Sequence, residues 1–170
     1  MEIDVKLYKE FLMGNQESFD VLMDKYRNSL ICFIQGYVKN IDIAEDLAQD
    51  VFVYILINKK EYDFKYSMKT YLYTIARSRA LNYLKREKKI ISLEENIDYY
   101  ANKENINQHN AIKKLNESQQ RAVFLADIEE LSYREICKIT GKTLSQIKMT
   151  IYRARKNLKK ILMKEGLNNE

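Results

Sequence analysis

From Glu17 to Val38 the apolar side chains recur at intervals of three and four: Phe19, Leu22, Met23, Tyr26, Leu30, Phe33, Ile34 and Tyr37. A helix turns by about 100° per residue, so this spacing gathers them on one face. The pattern is sharper still from Asp42 to Ile57. There Ala44, Leu47, Ala48, Val51, Phe52 and Ile55 share one face, and Asp42, Glu45, Asp46, Gln49 and Asp50 share the other. No proline interrupts either run, because the chain has none, and its 170 residues include only four glycines. Interior proline breaks helices, and β-rich folds need many turn residues, so such a chain is expected to be all-α.

The remaining segments fit that expectation. Residues 5–13 read as a short helix, 58–67 as a loop, and Met68–Lys89 as a long helix apolar at Met68, Leu72, Ile75, Ala76 and Leu84. Periodicity lapses over residues 90–111, which read as a linker. Three helices then follow with legible caps. Asn116 precedes Glu117–Glu130, with Gln119 placed to reach back. Ser132 precedes Tyr133–Thr140, with Glu135 completing a capping box. Thr143 precedes a helix from Leu144, with Gln146 three residues on. The expected fold is two small helical domains, 1–89 and 112–165, joined by the 90–111 linker, with a short tail at 166–170. The C-terminal domain reads as a helix-turn-helix.

The net charge of +5 is unevenly spread. Residues 64–89 hold eight basic side chains and one acid, and residues 132–164 hold ten and one. Two basic blocks, each preceded by an acidic stretch, point to two contacts with a polyanion and at least one with something else. Cys32 and Cys137 form no CxxC pattern, which fits small buried residues in a reducing compartment. The one histidine, His109, sits in a polar stretch, so neither a metal centre nor a nucleophilic triad is expected. No apolar run reaches the roughly 18 residues of a membrane span, and the acidic start Met1-Glu2-Ile3-Asp4 lacks a signal-peptide core. A cytoplasmic protein is expected, with no cofactor, no metal and no small-molecule substrate.

Three constellations carry function. At Tyr133–Tyr152, Cys137, Gly141 and Ile147 supply the small residue, the positive-φ turn and the inner aliphatic of a helix-turn-helix. Its second helix is expected to bury Leu144, Ile147, Ile151, Ala154 and Leu158. Facing outward would be Ser145, Gln146, Lys148, Met149, Tyr152, Arg153, Arg155 and Lys156, fit for a major groove and its phosphates. At 62–89, Tyr62, Phe64, Tyr66, Tyr71 and Tyr73 interleave with Lys65, Lys69, Arg77, Arg79, Lys85, Arg86, Lys88 and Lys89. Flat rings beside cations suit unpaired DNA, since stacking offers about 1–3 kcal/mol per base. The acidic face at 42–50 has no metal ligands with it. The helix dipole accounts for Asp42 and Glu45 but not for Gln49 and Asp50 further in. A protein contact accounts for all five.

These motifs, in this order, resemble a bacterial RNA polymerase sigma factor of the extracytoplasmic-function (ECF) group. Asp42-Ile-Ala-Glu-Asp-Leu-Ala-Gln-Asp-Val-Phe52 is similar to the polymerase-binding helix of sigma region two. Thr70-Tyr-Leu-Tyr-Thr-Ile-Ala-Arg77 with Ala80–Arg86 is similar to its promoter-melting helix. Leu131–Ile136 with Ile147–Arg155 resembles region four. The resemblance implies that Asp42, Glu45, Asp46, Gln49, Asp50 and Phe52 dock on the clamp of the polymerase core. It implies that Phe64, Lys65, Tyr71, Tyr73, Arg77, Ser78, Arg79, Asn82, Lys85 and Arg86 handle the melted −10 element. Tyr133 and the outward residues from Ser145 to Lys156 would read the −35 element, and an anti-sigma factor would restrain the protein. The family often has Trp where Tyr71 stands, Asn where Ser78 stands, Pro where Asn116 stands, and Ser-Arg where Met149 and Thr150 stand. A base-edge donor lost in this way changes discrimination by about 1–3 kcal/mol. A stand-alone helix-turn-helix regulator is the alternative, though it leaves the acidic helix and the aromatic–basic block without a task. An enzyme using carboxylates lacks a second acidic cluster.

Overall fold

A computed structural model of the chain describes residues 2–93 and 110–166, and every regular element among them is helical. The chain divides into two compact units, Met1–Asn102 and Lys103–Glu170.

The first unit holds α1 (Glu2–Leu12), α2 (Gln16–Val38), α3 (Ile41–Ile57), a single 3₁₀ turn (Lys59–Glu61) and α4 (Met68–Leu93). Helix α2 is central and packs against α1, α3 and α4. Its buried face is Phe19, Leu22, Tyr26, Leu30, Ile31, Phe33 and Ile34. Polar caps set the boundaries: Asn15 accepts from the Ser18 amide, and Lys39 ends α2 in the left-handed region at φ 59°. Asn40 Oδ1 then accepts from the Ile43 amide at 3.1 Å and starts α3 at once. Asp4 ties α1 to α2. It is only 6% exposed and accepts from Tyr26 Oη at 2.6 Å and Lys25 Nζ at 2.5 Å. Burial by itself would raise the Asp4 pKa, but these hydrogen bonds and the Lys25 charge outweigh it and hold the carboxyl below its ordinary value.

The second unit holds α5 (Asn110–Lys113), α6 (Glu117–Val123), α7 (Tyr133–Thr140) and α8 (Leu144–Gly166). Leu115, Val123 and Ala154 cluster in its core, with Leu158 and Ile161 against them. The Ser132–Glu135 capping box is present. Gly141 ends α7 at φ 69°, its amide donating to Cys137 O at 2.9 Å. Thr143 and Gln146 exchange side-chain to backbone bonds of 2.9 and 3.3 Å at the start of α8.

Several expectations are corrected. The helix expected over Glu117–Glu130 is α6 followed by one wide π turn, Phe124–Ile128, closed by Glu129 N donating to Phe124 O at 3.0 Å. Asn116 does cap the Gln119 amide, but the Gln119 side chain is buried and accepts from Asn157 Nδ2. The side chain that reaches back is Gln120, onto Leu115 O at 2.7 Å. Leu144 is 40% exposed because it opens α8 before that helix meets its neighbours. Cys32 is exposed rather than buried, and Cys137 is half-buried. The segment read as a linker is helical at both ends, since α4 runs through Leu93 and α5 starts at Asn110. The rest of it, with His109, and the last four tail residues lie outside the described residues.

Candidate functional site

On α3 the apolar face buries Ala44, Ala48, Val51, Phe52 and Ile55 against the core. That rotation turns Asp42, Glu45, Asp46, Gln49 and Asp50 to solvent. Phe52 leaves the expected docking set: it is 8% exposed and meets Phe19 edge-on, ring centroids 6.4 Å apart. Its task is to seat α3. The same rotation exposes two apolar residues that the sequence reading passed over, Val53 at 49% and Ile57 at 75%. They continue the acidic stripe at three-and-four spacing beyond Gln49 and Asp50, a signal available in the sequence. The exposed strip of α3 is therefore acidic at its start and apolar at its end.

The loop after α3 is folded around Tyr62. Its ring lies 4.9 Å from Tyr8, 4.7 Å from Phe64 and 5.1 Å from Tyr71. Its hydroxyl donates to Tyr66 O at 2.7 Å. Asp63 Oδ1 accepts from the Lys65 amide at 3.0 Å, a local turn. Tyr62 is buried, whereas Phe64 and Tyr66 are 43% and 40% exposed. Burial, joined by the Asp4 and Asp63 charges, pushes the Tyr62 hydroxyl up to about 12. Burial foremost also pushes Tyr71 up to about 12, and its hydroxyl has no hydrogen-bond partner among the described residues. Both rings therefore stay neutral at physiological pH. Lys65 is exposed beside them.

Along α4, Ser78, Asn82, Lys85 and Arg86 are exposed, and Arg77 and Arg79 are half-buried. Arg79 lies over the Tyr54 ring, 5.1 Å from its centroid, and the Tyr54 hydroxyl donates to Glu61. Tyr73 is withdrawn from the DNA-facing set. It is fully buried on the side of α4 that carries Leu72, Ala76 and Ala80, edge-on to Phe33 at 4.9 Å.

In the second unit Ile147, Ile151 and Ala154 anchor α8 against α6 and α7. Ser145, Gln146, Lys148, Met149, Tyr152, Arg153, Arg155 and Lys156 are all exposed, and Tyr133 is half-buried beside them. Two of them are already engaged. Gln146 caps its own helix, and Arg155 is bound by both oxygens of Asp127 from the π turn. The Asp127 hydrogen bond is also what raises the Arg155 pKa. An open groove runs between Tyr133 and α8, lined by Lys148, Tyr152, Arg155, Lys156 and Lys159. Among the described residues no group of three or more His, Cys, Asp or Glu side chains could hold a metal ion, and no helix is long and apolar enough to cross a membrane.

An exposed acidic face on α3, an aromatic–basic loop and helix, and a basic helix-turn-helix are the features that a factor meeting both a protein and DNA would need. The family comparisons agree. Residues 22–90 match sigma-70 region 2, and residues 109–158 match sigma-70 region 4. The chain is 30% identical over 168 residues to the RNA polymerase sigma factor YlaC of Bacillus subtilis, covering 89% of this chain and 96% of that protein. It is 25% identical to the ECF RNA polymerase sigma factor SigM of the same organism, covering 90% and 99%. Its fold resembles the sigma factor RpoE, solved with the anti-sigma factor NepR from Bartonella quintana, with a TM-score of 0.69 at 21% identity over 86% of this chain and 98% of that one. It also resembles CnrH, solved with the cytosolic domain of CnrY, with a TM-score of 0.63 at 18% identity over 94% and 97%. The chain belongs to the sigma-70 family of RNA polymerase sigma factors, in its ECF group. It is a transcription initiation factor that binds the polymerase core and directs promoter recognition. The stand-alone regulator is not favoured, because residues 22–90 match a sigma region that such a protein has no use for.

Proposed function

We propose that the division of labour follows the three exposed surfaces. The α3 strip Asp42, Glu45, Asp46, Gln49 and Asp50, extended by Val53 and Ile57, docks residues 1–89 on the polymerase clamp. Phe64, Lys65 and Tyr71 with Arg77, Ser78, Arg79, Asn82, Lys85 and Arg86 hold the melted −10 strand. Tyr133 with Ser145–Lys156 in residues 112–165 reads the −35 duplex. The observation that carries this reading is the acidic face of α3, exposed and backed by an apolar face whose Ala44, Ala48, Val51, Phe52 and Ile55 are buried. Five polar side chains in register on one rigid helix suit a protein partner, which gains affinity from preorganised contacts. The Phe64 ring, exposed at the edge of a buried ring cluster, suits an extruded base.

In this mechanism the chain makes and breaks no bonds, and the polymerase supplies the chemistry. The chain works in the cytoplasm, where the polymerase is. RpoE and CnrH were each solved with a partner, NepR and CnrY, and an anti-sigma factor is proposed for this chain by analogy.

The test is to add the purified protein to sigma-free bacterial core polymerase and score initiation on a pool of genomic fragments. The expected result is discrete new start sites that disappear with Asp50→Ala. Failure to bind core or to start transcripts, with duplex binding intact, would remove the docking assignment.

A further inference from the structure

The loop that presents Phe64 is held from below by α1, which lies wholly outside the region 2 match at residues 22–90. Five contacts converge there. The Tyr8 hydroxyl donates to Lys59 O at 2.8 Å. The Tyr8 ring meets Tyr62 at 4.9 Å and Phe64 at 6.2 Å, both edge-on. Lys9 Nζ lies 5.6 Å from the Phe64 centroid, and Lys59 Nζ lies 4.7 Å from the Phe11 centroid. The loop's own main-chain bonds are few: Glu61 N to Asn58 O and Tyr66 N to Asp63 O. Tyr8 is completely buried, whereas Lys9 is exposed. Helix α1 is itself fastened to α2 through Asp4 and through Ser18 Oγ donating to Glu10 at 2.7 Å.

From this geometry we infer that α1 is a positioning element for base capture, with Tyr8 setting the height of the loop and Lys9 setting the pose of the Phe64 ring. The inference rests on the loop being the −10 trap. An exposed ring on a short loop stacks well only if its orientation is settled beforehand, because ordering it during melting subtracts from the stacking gain. Tyr8 fixes the loop backbone at Lys59 and supports Tyr62 and Phe64 by ring contact. Lys9 bears on the face of Phe64 as a cation, which selects one ring orientation. Neither residue needs to touch DNA.

The experiment uses the full chain with core polymerase on a promoter fragment recovered from the initiation screen. Strand opening is followed by permanganate reactivity of unpaired thymines, with core affinity and thermal midpoint measured beside it. Lys9→Gln is expected to slow opening about two- to fivefold, and Tyr8→Phe about two- to tenfold, with core affinity and start site unchanged. Lys9→Arg should restore the rate, since it keeps a cation over the ring. Lys6→Gln removes the same charge from a side chain 79% exposed and paired with Glu10 at 3.9 Å, so it should leave the rate unchanged. Lys9→Gln opening no more slowly than Lys6→Gln would overturn the inference, as would failure of Lys9→Arg to rescue. Phe64→Ala separates the two levels. If it slows opening while the Tyr8 and Lys9 variants do not, only the α1 assignment fails. If transcripts start at full rate with Phe64→Ala, the trap assignment fails and the inference falls with it.

Discussion

Replacing Asp4 by alanine should loosen the first unit by an amount that can be worked out from its contacts. The carboxylate is 6% exposed and takes hydrogen bonds from Tyr26 Oη at 2.6 Å and Lys25 Nζ at 2.5 Å. A hydrogen bond to a charged group contributes about 1.5–3 kcal/mol. The Tyr26 bond lies fully inside and counts near that range. Lys25 is 47% exposed, so its pairing counts as a surface contact of about 0.2–1 kcal/mol. The sum is about 2–4 kcal/mol, which for a unit of this size lowers the melting midpoint by about 10–30 °C. Calorimetry of the full chain, with hydrogen exchange in α1 as the local readout, measures it. The pH dependence follows from the same contacts. The folded pKa lies below the unfolded value of about 3.9, so the carboxylate stabilises fully above about pH 5. That contribution is lost as pH falls through the unfolded value and on through the folded one. Asp4→Asn should therefore narrow the stability difference between pH 6 and pH 3. A midpoint for Asp4→Ala within about 2 °C of the parent, with α1 exchange unchanged, would refute the reasoning.

Tyr71→Phe removes a buried hydroxyl that has no hydrogen-bond partner among the described residues, so the chain should become more stable by about 1 kcal/mol; a loss of stability in thermal unfolding would show that the hydroxyl is satisfied. Gly141→Ala places a side chain at φ +69° with no atom within 4 Å of the added Cβ. The cost is backbone strain alone, about 1–2 kcal/mol, and Gly141→Asn should cost less; equal denaturation midpoints for all three would contradict it. Arg155→Ala should reduce the salt slope of polymerase–promoter binding by about 0.9 if Arg155 leaves Asp127 for a phosphate, and an unchanged slope would place it off the DNA backbone.

Much of this protein is legible along the chain because helices report their own geometry. The three-and-four spacing placed α2, α3 and the start of α4 within a residue, and the Ser132, Gly141 and Thr143 signals bounded α7 and marked the start of α8. Those signals are local: a cap, a period and a positive-φ glycine act over one turn of chain. The same period separated Asp42–Asp50 from the buried face of α3.

What the period could not settle is which of several apolar or aromatic side chains turns inward when a helix has neighbours on more than one side. Tyr73 and Phe52 share a chemistry with Phe64, yet α2 covers the first two through Phe33 and Phe19, whereas Tyr62, Tyr8 and Lys9 support the third and still leave it 43% exposed. The π turn at Phe124–Ile128 brings Asp127 to Arg155, 28 residues away in sequence, and no local pattern announces such a pairing. The support of Phe64 by Tyr8 and Lys9 spans more than fifty residues of chain in the same way. The sequence by itself determined the helices, their caps and the charge of each exposed stripe, because these depend on contacts within about one turn. Only the tertiary structure decided which rings are core and which are offered to a partner, because burial depends on what the rest of the chain packs against them.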